Sequence, residues 1–281
     1  MISKEYLKKI KLVVMDLDGT LVDDDDSIHQ ETVDLIKKLR ALNVEFTIAT
    51  GRLLSAVLNH AENLEIKIPL ITLDGTIVNR YPGERIIFES FLSPKHVKRA
   101  INLADKYFLT IALCHDSAIL YTEENAVVPN VLNKFGAVYK AVNSYDNYLD
   151  ETLEVVICGD NKESVKHIAN KMSFPYTFGV RSSFYKSRDH GGTYYLEIRK
   201  MGSSKADGMK VLQKHLKVKM KETAVIGDWY NDKALFDTEA VKIAVANAVP
   251  ELKKMADYVT KRTNNENGIA EFLTMLYKAK K

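Results

Sequence analysis

Cysteine, tryptophan and proline are scarce in this 281-residue chain, which holds two, one and six of them. The two cysteines, Cys114 and Cys158, sit in apolar segments and form neither a disulfide framework nor the paired spacing of a thiolate metal site. No apolar run approaches the length of a membrane span. The lysine-rich start, Met1 to Ile10, lacks the apolar centre of a secretion signal, so a cytoplasmic protein is expected. Charge of one sign is lacking too: 40 Lys and Arg against 37 Asp and Glu leave +3, no case for nucleic acid or a membrane as partner. What remains, 46% hydrophobic and 27% charged, is ordinary for a globular protein. The length suits one large domain or two smaller ones, and nothing in the sequence signals an oligomeric state.

Against that plain background one stretch stands out, Val13-Val14-Met15-Asp16-Leu17-Asp18-Gly19-Thr20-Leu21-Val22. The apolar run Leu12 to Met15 reads as a buried parallel strand, and it delivers two carboxylates and a glycine turn. In doubly wound sheets ligands bind where loops leave the carboxyl ends of strands. Asp16 is therefore placed to attack phosphorus, a known use of a carboxylate nucleophile. Asp18 is placed as general acid and base, with Mg²⁺ screening the charge. The plainer account is an acidic turn, since Asp and Gly are common turn residues and Asp23 to Asp26 follow at once.

The rest of the chain repeats the pattern of a strand ending in a reactive group. Ser27-Ile28-His29-Gln30 has the form of a capping box opening a helix through Leu39. Val44 to Ala49 reads as a second strand ending in Thr50-Gly51-Arg52, where Thr50 can bond a phosphoryl oxygen and Arg52 can reach a substrate. Thr50 serves equally as the cap of a helix over Leu53 to Ala61. A third strand, Ile68 to Leu73, ends in Asp74-Gly75-Thr76, and Tyr81-Pro82-Gly83-Glu84 turns a hairpin. From about residue 82 to 190 the pattern is mixed, with strands at Leu109 to Leu113, Ala118 to Tyr121 and Leu153 to Cys158. Helices fall near Pro94 to Ala104, Val127 to Phe135 and Lys162 to Met172. Arg181, Lys186, Arg188 and His190 are candidates to meet the non-reacting part of a substrate, although a solvated face is the commoner explanation. Tyr194 to Ile198 reads as a strand returning to the first domain. Gly202-Ser203-Ser204-Lys205 then opens a helix with a cation where the helix dipole disfavours one. Thr223 to Gly227 ends in Asp228, followed by Asn231 and Asp232, a plausible hard-cation site.

Together these motifs resemble the haloacid dehalogenase-like hydrolase superfamily, Cof-type branch with a type-IIB cap. The resemblance rests on Asp16-Leu17-Asp18-Gly19-Thr20-Leu21, Ala49-Thr50-Gly51-Arg52, Gly202-Ser203-Ser204-Lys205 and Ile226-Gly227-Asp228-Trp229-Tyr230-Asn231-Asp232. It implies an α/β fold: a Rossmann-like doubly wound parallel core from residues 1–81 and 191–281, with an inserted α+β cap at 82–190. It implies Asp16 as nucleophile, Asp18 as acid and base, and Thr50, Gly51, Arg52, Lys205 and Asn231 around the phosphoryl group. Mg²⁺ would be held by Asp16, the Asp18 backbone carbonyl and Asp228, with Asp232 in support. The activity implied is a phosphatase acting on small phosphorylated metabolites such as sugar phosphates. A phosphomutase and a phospho-ligand-binding protein with little turnover are the alternatives. Three positions depart from the family pattern: Trp229 and Ala206 stand where Gly is usual, and Asp74-Gly75-Thr76 where Asn-Gly-Ala is usual.

Overall fold

Four consecutive apolar residues, Leu12–Met15, form β1, and every one is buried. A strand covered on both faces belongs inside a parallel sheet with helices packed against it. The structure, a computed structural model, describes every residue except 1, 80, 84, 133–137 and 188–190. In chain order, α1 (Lys4–Lys9) precedes β1, α2 (Gln30–Arg40) leads to β2 (Glu45–Ile48), and α3 (Leu58–Asn63) to β3 (Leu70–Thr72). There follow β4 (Ile77–Asn79), β5 (Ile86–Glu89), α4 (Pro94–Lys106), β6 (Thr110–Cys114), β7 (Ile119–Tyr121) and α5 (Val128–Val131). Next come β8 (Tyr139–Ala141), β9 (Glu154–Gly159), α6 (Lys162–Lys171), β10 (Val180–Lys186) and β11 (Tyr194–Lys200). The last part holds α7 (Lys205–Leu216), β12 (Thr223–Gly227), α8 (Lys233–Phe236), β13 (Val241–Ala244), α9 (Pro250–Met255), β14 (Tyr258–Val259) and α10 (Ile269–Lys280).

The chain forms two compact units. One comprises Met1–Thr50, Val57–Phe88 and Ser204–Lys281; the other comprises Gly51–Ala56 and Glu89–Ser203. The first is the Rossmann-like α/β core. Its sheet has the order β14-β13-β12-β1-β2, parallel throughout, and a parallel bridge from Ala49 to Ile71 joins β3 beyond β2. Met15 lies opposite both Ile48 and Ile226, so β1, β2 and β12 end level with one another. Their next residues leave the sheet at one edge, which is what brings distant motifs together. Against this sheet α2 packs on α10 and α10 on α1, while α7 packs on β3, β4 and α8.

The second unit is α+β. Its sheet runs β10-β11-β9-β6-β7-β8, antiparallel except for β7 with β8. Val97, Ala100 and Ala104 of α4 and Val165 and Ile168 of α6 share a core with Ile111, Leu113, Val155, Ile157, Leu196 and Ile198. Alternate residues point the other way, and there Arg199 bonds Glu154 and, at 2.6 Å, Glu197.

Five local expectations are corrected. Tyr194–Lys200 does not return to the first unit; it pairs with β9 and β10, its Leu196 and Ile198 filling the second unit's core. Ser27 is no helix cap, because it closes a loop with Asp23, whose side chain accepts the Ser27 N–H at 2.9 Å, and α2 starts after His29. Thr50 is no cap either: the first helical turn begins only at Leu54, and the Thr50 N–H bonds the Ile71 carbonyl at 2.9 Å, in continuation of the sheet. The helix expected over Leu53 to Ala61 is interrupted at Val57, whose φ of −120° and ψ of −5° separate a single turn at Leu54–Ala56 from α3. The expected helix near Val127 reaches only Val131, and Phe135, Arg188 and His190 lie outside the described residues.

After β3 the backbone turns through three successive left-handed residues, Leu73, Asp74 and Gly75 (φ 44°, 49° and 86°). A Cβ on Gly75 would stand 2.0 Å from the Ser204 carbonyl oxygen, at the start of α7. Gly75→Ala is thus expected to destabilise the protein by about 2–4 kcal/mol, a backbone clash added to a left-handed residue. An unchanged midpoint in chemical denaturation would count against the close approach.

Burial also pushes the Tyr145 phenol and the Cys158 thiol each up to about 12. Both groups keep their protons in the folded state at pH values where the unfolded chain has lost them. The unfolded state then binds fewer protons, so stability is intact below about pH 9 and falls between about pH 9 and 12, by roughly 1.4 kcal/mol per pH unit for each titrating group. Denaturant titrations across that range measure the slope; a flat profile contradicts the burial of these two groups.

Candidate active site

Asp16 is the first residue beyond β1, and its backbone N–H still bonds the Ile226 carbonyl of β12 at 2.9 Å. This fixes the backbone that carries its carboxylate. The next residues turn sharply, with Gly19 at φ 73°. Asn247, at the exit of β13, donates from Nδ2 to the Gly19 carbonyl at 2.7 Å, and its Oδ1 accepts the Asn264 N–H at 3.0 Å. Asn264 in turn donates to the Val22 carbonyl at 3.1 Å. The turn after Asp16 is therefore held by side chains from the last part of the chain.

Lys205, the first residue of α7, is fully buried. Its Nζ hydrogen-bonds the Asp16 carboxylate, lies 2.6 Å from Asp232 Oδ1 and 3.9 Å from Asp74 Oδ1. Ser204 caps the helix, its Oγ accepting the Asp207 N–H at 3.2 Å, so the helix start is satisfied without the lysine side chain. The ammonium is thus free to turn away from its own helix into the cluster of acids.

Asp228 leaves β12 one residue beyond the position level with Asp16. Its Oδ1 accepts from the Thr20 hydroxyl at 3.2 Å, and its backbone N–H donates to Asp232 Oδ2 at 3.0 Å. Asp232 also accepts the Trp229 N–H at 3.1 Å. This approach requires glycine before Asp228, because a Cβ on Gly227 would lie 2.5 Å from Asp232 Oδ2. Asn231 donates from Nδ2 to Asp74 Oδ1 at 3.0 Å, and the Asp74 N–H bonds the Thr50 carbonyl at 2.8 Å.

Of the residues singled out in the sequence, the structure connects Asp16, Lys205, Asp228 and Asp232 directly. It links Asn231 and buried Thr50 to them through Asp74. Asp18 is exposed in the turn, and its carboxylate is not among the clustered acids. Gly51 and Arg52 fall in the second unit, as do Arg181 and Lys186, both exposed on β10. Trp229 and Tyr230 pack edge to face, 5.1 Å between centroids, with Tyr230 half exposed. Ala206 is buried in the first turn of α7. Three contributors carried no signal of their own in the sequence: Thr20, Asn247 and Asn264. Thr20 sat within a recognised motif and Asn247 at a strand exit, but their partners are more than 200 residues away.

Among the described residues, Asp16, Asp74 and Asp232 surround one ammonium, and Asp228 stands with Asp16 and Asp232. Burial, and then the charge of Asp232, holds the Asp16 carboxyl well above the ordinary carboxylate range; Lys205 opposes this, and Asp228 adds to it. For Lys205 burial acts to lower the pKa, but Asp16, Asp232 and Asp74 outweigh it, and the amine is held protonated above its ordinary value. The centre is left with surplus negative charge. Ligand oxygens of Asp16, Asp228 and Asp232 lie within 4.8 Å of one another, all three residues buried. An all-oxygen, anionic donor set of that size fits a hard divalent cation.

A family model described as haloacid dehalogenase-like hydrolase matches residues 13–273. The chain belongs to the haloacid dehalogenase-like hydrolases. One relative, from Streptococcus pyogenes serotype M6 and named "Putative phosphatase M6_Spy0533", is 29% identical over 276 residues, 93% of this chain and 96% of its own. A haloacid dehalogenase-like hydrolase from Bacteroides thetaiotaomicron superposes with a TM-score of 0.80 at 23% identity, covering 95% of this chain and 99% of that one. The subclass IIB sugar phosphatase BT4131 gives 0.78 at 23%, over 94% and 98%. At these identities the two structures speak for the fold. In this hydrolase the clustered acids stand at the carboxyl ends of adjacent parallel strands, where α/β enzymes place their chemistry.

Lys205→Met would remove the one ammonium among the described residues of the cluster and leave Asp16 and Asp232 buried together. A loss of about 3–5 kcal/mol in unfolding free energy is expected, as for breaking a buried ion pair on one side. Denaturant unfolding of the purified variant measures it; a change below about 1 kcal/mol would mean that solvent already compensates these acids.

Proposed function

We propose that this hydrolase is a Mg²⁺-dependent phosphatase of small phosphorylated metabolites, sugar phosphates or similar, acting through an aspartyl-phosphate intermediate. The observation that carries the reading is the buried set of Asp16, Asp228 and Asp232, beyond the ends of β1 and β12, with Lys205 from the start of α7. Asp16, Asp228 and the Asp18 backbone carbonyl would hold Mg²⁺, with Asp232 positioning Lys205 and the Asp228 backbone. Bound there, the cation neutralises charge on the carboxylates and on the equatorial phosphoryl oxygens.

The chain's own groups divide the remaining work. The Asp16 carboxylate attacks phosphorus, forming an acyl phosphate as the ester P–O bond breaks. Asp18, exposed beside it, delivers a proton to the departing alkoxide and then takes one from the water that hydrolyses the intermediate. Lys205 and the Thr50 hydroxyl bind phosphoryl oxygens, and Asn231 would sit by the substrate phosphate. The motif that supplies Thr50 also carries Gly51 and Arg52, which the family resemblance assigns to binding the substrate. The second unit, expected over 82–190, acts as the domain that selects the leaving group. The names of the relatives support a phosphatase over a mutase, since one is called a phosphatase and another a sugar phosphatase.

Phosphate release from p-nitrophenyl phosphate and a panel of sugar phosphates, with Mg²⁺ and with EDTA, tests the reading. Wild type should release phosphate only with Mg²⁺ and form an acid-stable, hydroxylamine-sensitive phosphoprotein. Asp16→Asn should lose at least about 10³-fold in kcat. Folded wild-type protein that binds Mg²⁺ but releases no phosphate from any ester would overturn it.

A further inference from the structure

A second surface, wholly within the second unit, has no part in this chemistry. The turn after α6 exposes three aromatic side chains within five residues: Phe174 at 74%, Tyr176 at 58% and Phe178 at 66%. Soluble proteins rarely leave such a group of apolar side chains in water without a partner. The turn lies against α4: a Cβ on Gly179 would stand 3.8 Å from the His96 ring, and Arg99 donates to the Lys171 carbonyl at 3.5 Å.

That neighbourhood is strongly basic. Residues 94–104 and 164–182 contain Lys95, Lys98, Arg99, Lys166, Lys171 and Arg181 and no Asp or Glu. Lys95, Lys98, Arg99, Asn102 and Lys106 line a shallow groove along α4, at the three- and four-residue steps that share one helix face. The stripe is about 17 Å long at 1.5 Å per residue. The aromatic turn flanks one end, and Phe108, 96% exposed, follows the other. The opposite face of α4 is spent in the core through Val97, Ala100 and Ala104. His96 reports the local field: burial, then Lys95 and Arg99, lowers its pKa below the ordinary imidazole value. Asp105 is the one acid on the helix.

We propose that this face of the second unit docks on an anionic lipid membrane, its basic stripe on the headgroups and Phe174, Tyr176 and Phe178 entering the interfacial layer. Cations supply attraction to anionic lipid, and exposed aromatic rings supply apolar contact, the two terms that hold a protein on a bilayer surface. The ring geometry argues against single-stranded nucleic acid, which needs open ring faces on which bases stack. Here Phe174 and Phe178 pack edge to face with centroids 5.3 Å apart, and the Lys171 ammonium sits 4.0 Å from the Tyr176 ring centroid. A second copy of the chain fits poorly as well, because a two-fold contact would set this basic patch against itself.

Co-sedimentation of the full chain with vesicles tests the proposal. Binding is expected to vesicles with about 30% phosphatidylglycerol, to fall in about 0.5 M NaCl, and to be absent with phosphatidylcholine alone. Lys98→Ala with Arg99→Ala, and separately Phe174→Ser with Phe178→Ser, should each weaken it by about tenfold or more while leaving the melting temperature unchanged. No binding to the anionic vesicles overturns the proposal, and so does equal binding by either double variant. Binding of an oligothymidylate without vesicle binding assigns the surface to nucleic acid instead. A dimer abolished by the Phe174 and Phe178 changes, again without vesicle binding, assigns it to self-association.

Discussion

The centre of the first unit depends on one ammonium group. Lys205 has no exposure to solvent and is hydrogen-bonded to Asp16 and Asp232, with Asp74 slightly farther away. Burying a charge is costly unless it is paired, and burying several like charges is costlier still. One cation cannot balance the carboxylates around it, so the folded protein holds an anionic site that a divalent cation and a phosphoryl group would complete. The backbone serves the same end. Gly227 lets Asp232 reach back to two N–H groups, and Ser204 caps α7 so that Lys205 is not needed there.

Much of the core was legible before any coordinates. Leu12 to Met15 and Thr223 to Gly227 are apolar runs too short for helices, and each ends in carboxylates, so strand, turn and chemistry were written in adjacent letters. The pairing of those letters was not. Thr20 finds Asp228, Asn247 finds Gly19 and Asn264 finds Val22 only because parallel pairing sets their strands side by side. A polar residue whose partner lies 200 positions away leaves no local pattern.

The misread elements have the same origin. Tyr194–Lys200 is a strand as expected, but nothing in its alternation says which sheet it joins; that was decided by Leu196 and Ile198 meeting the faces of α4 and α6. Val180–Lys186 is an edge strand in which Arg181 and Lys186 are exposed and the four residues between them half-buried, so it lacks the clean in-and-out alternation that marks a strand in a sequence. Ser27 had the letters of a helix cap, yet Asp23 was near enough to claim its backbone. The low net charge hid a local one, because the acids and bases of this chain are not evenly mixed.

β1 lies between β2 and β12, and its second neighbour begins more than 200 residues later in the chain. On the ribosome the strand that leads into Asp16 is made more than 200 residues before this partner. Until Thr223–Gly227 has emerged, Leu12–Met15 has one open edge and no Asp228 beside Asp16. The second unit is nearly contiguous, and its sheet closes from residues already synthesised. The second unit can be complete while the acidic cluster of the first still waits for Thr223–Gly227 and Asp228.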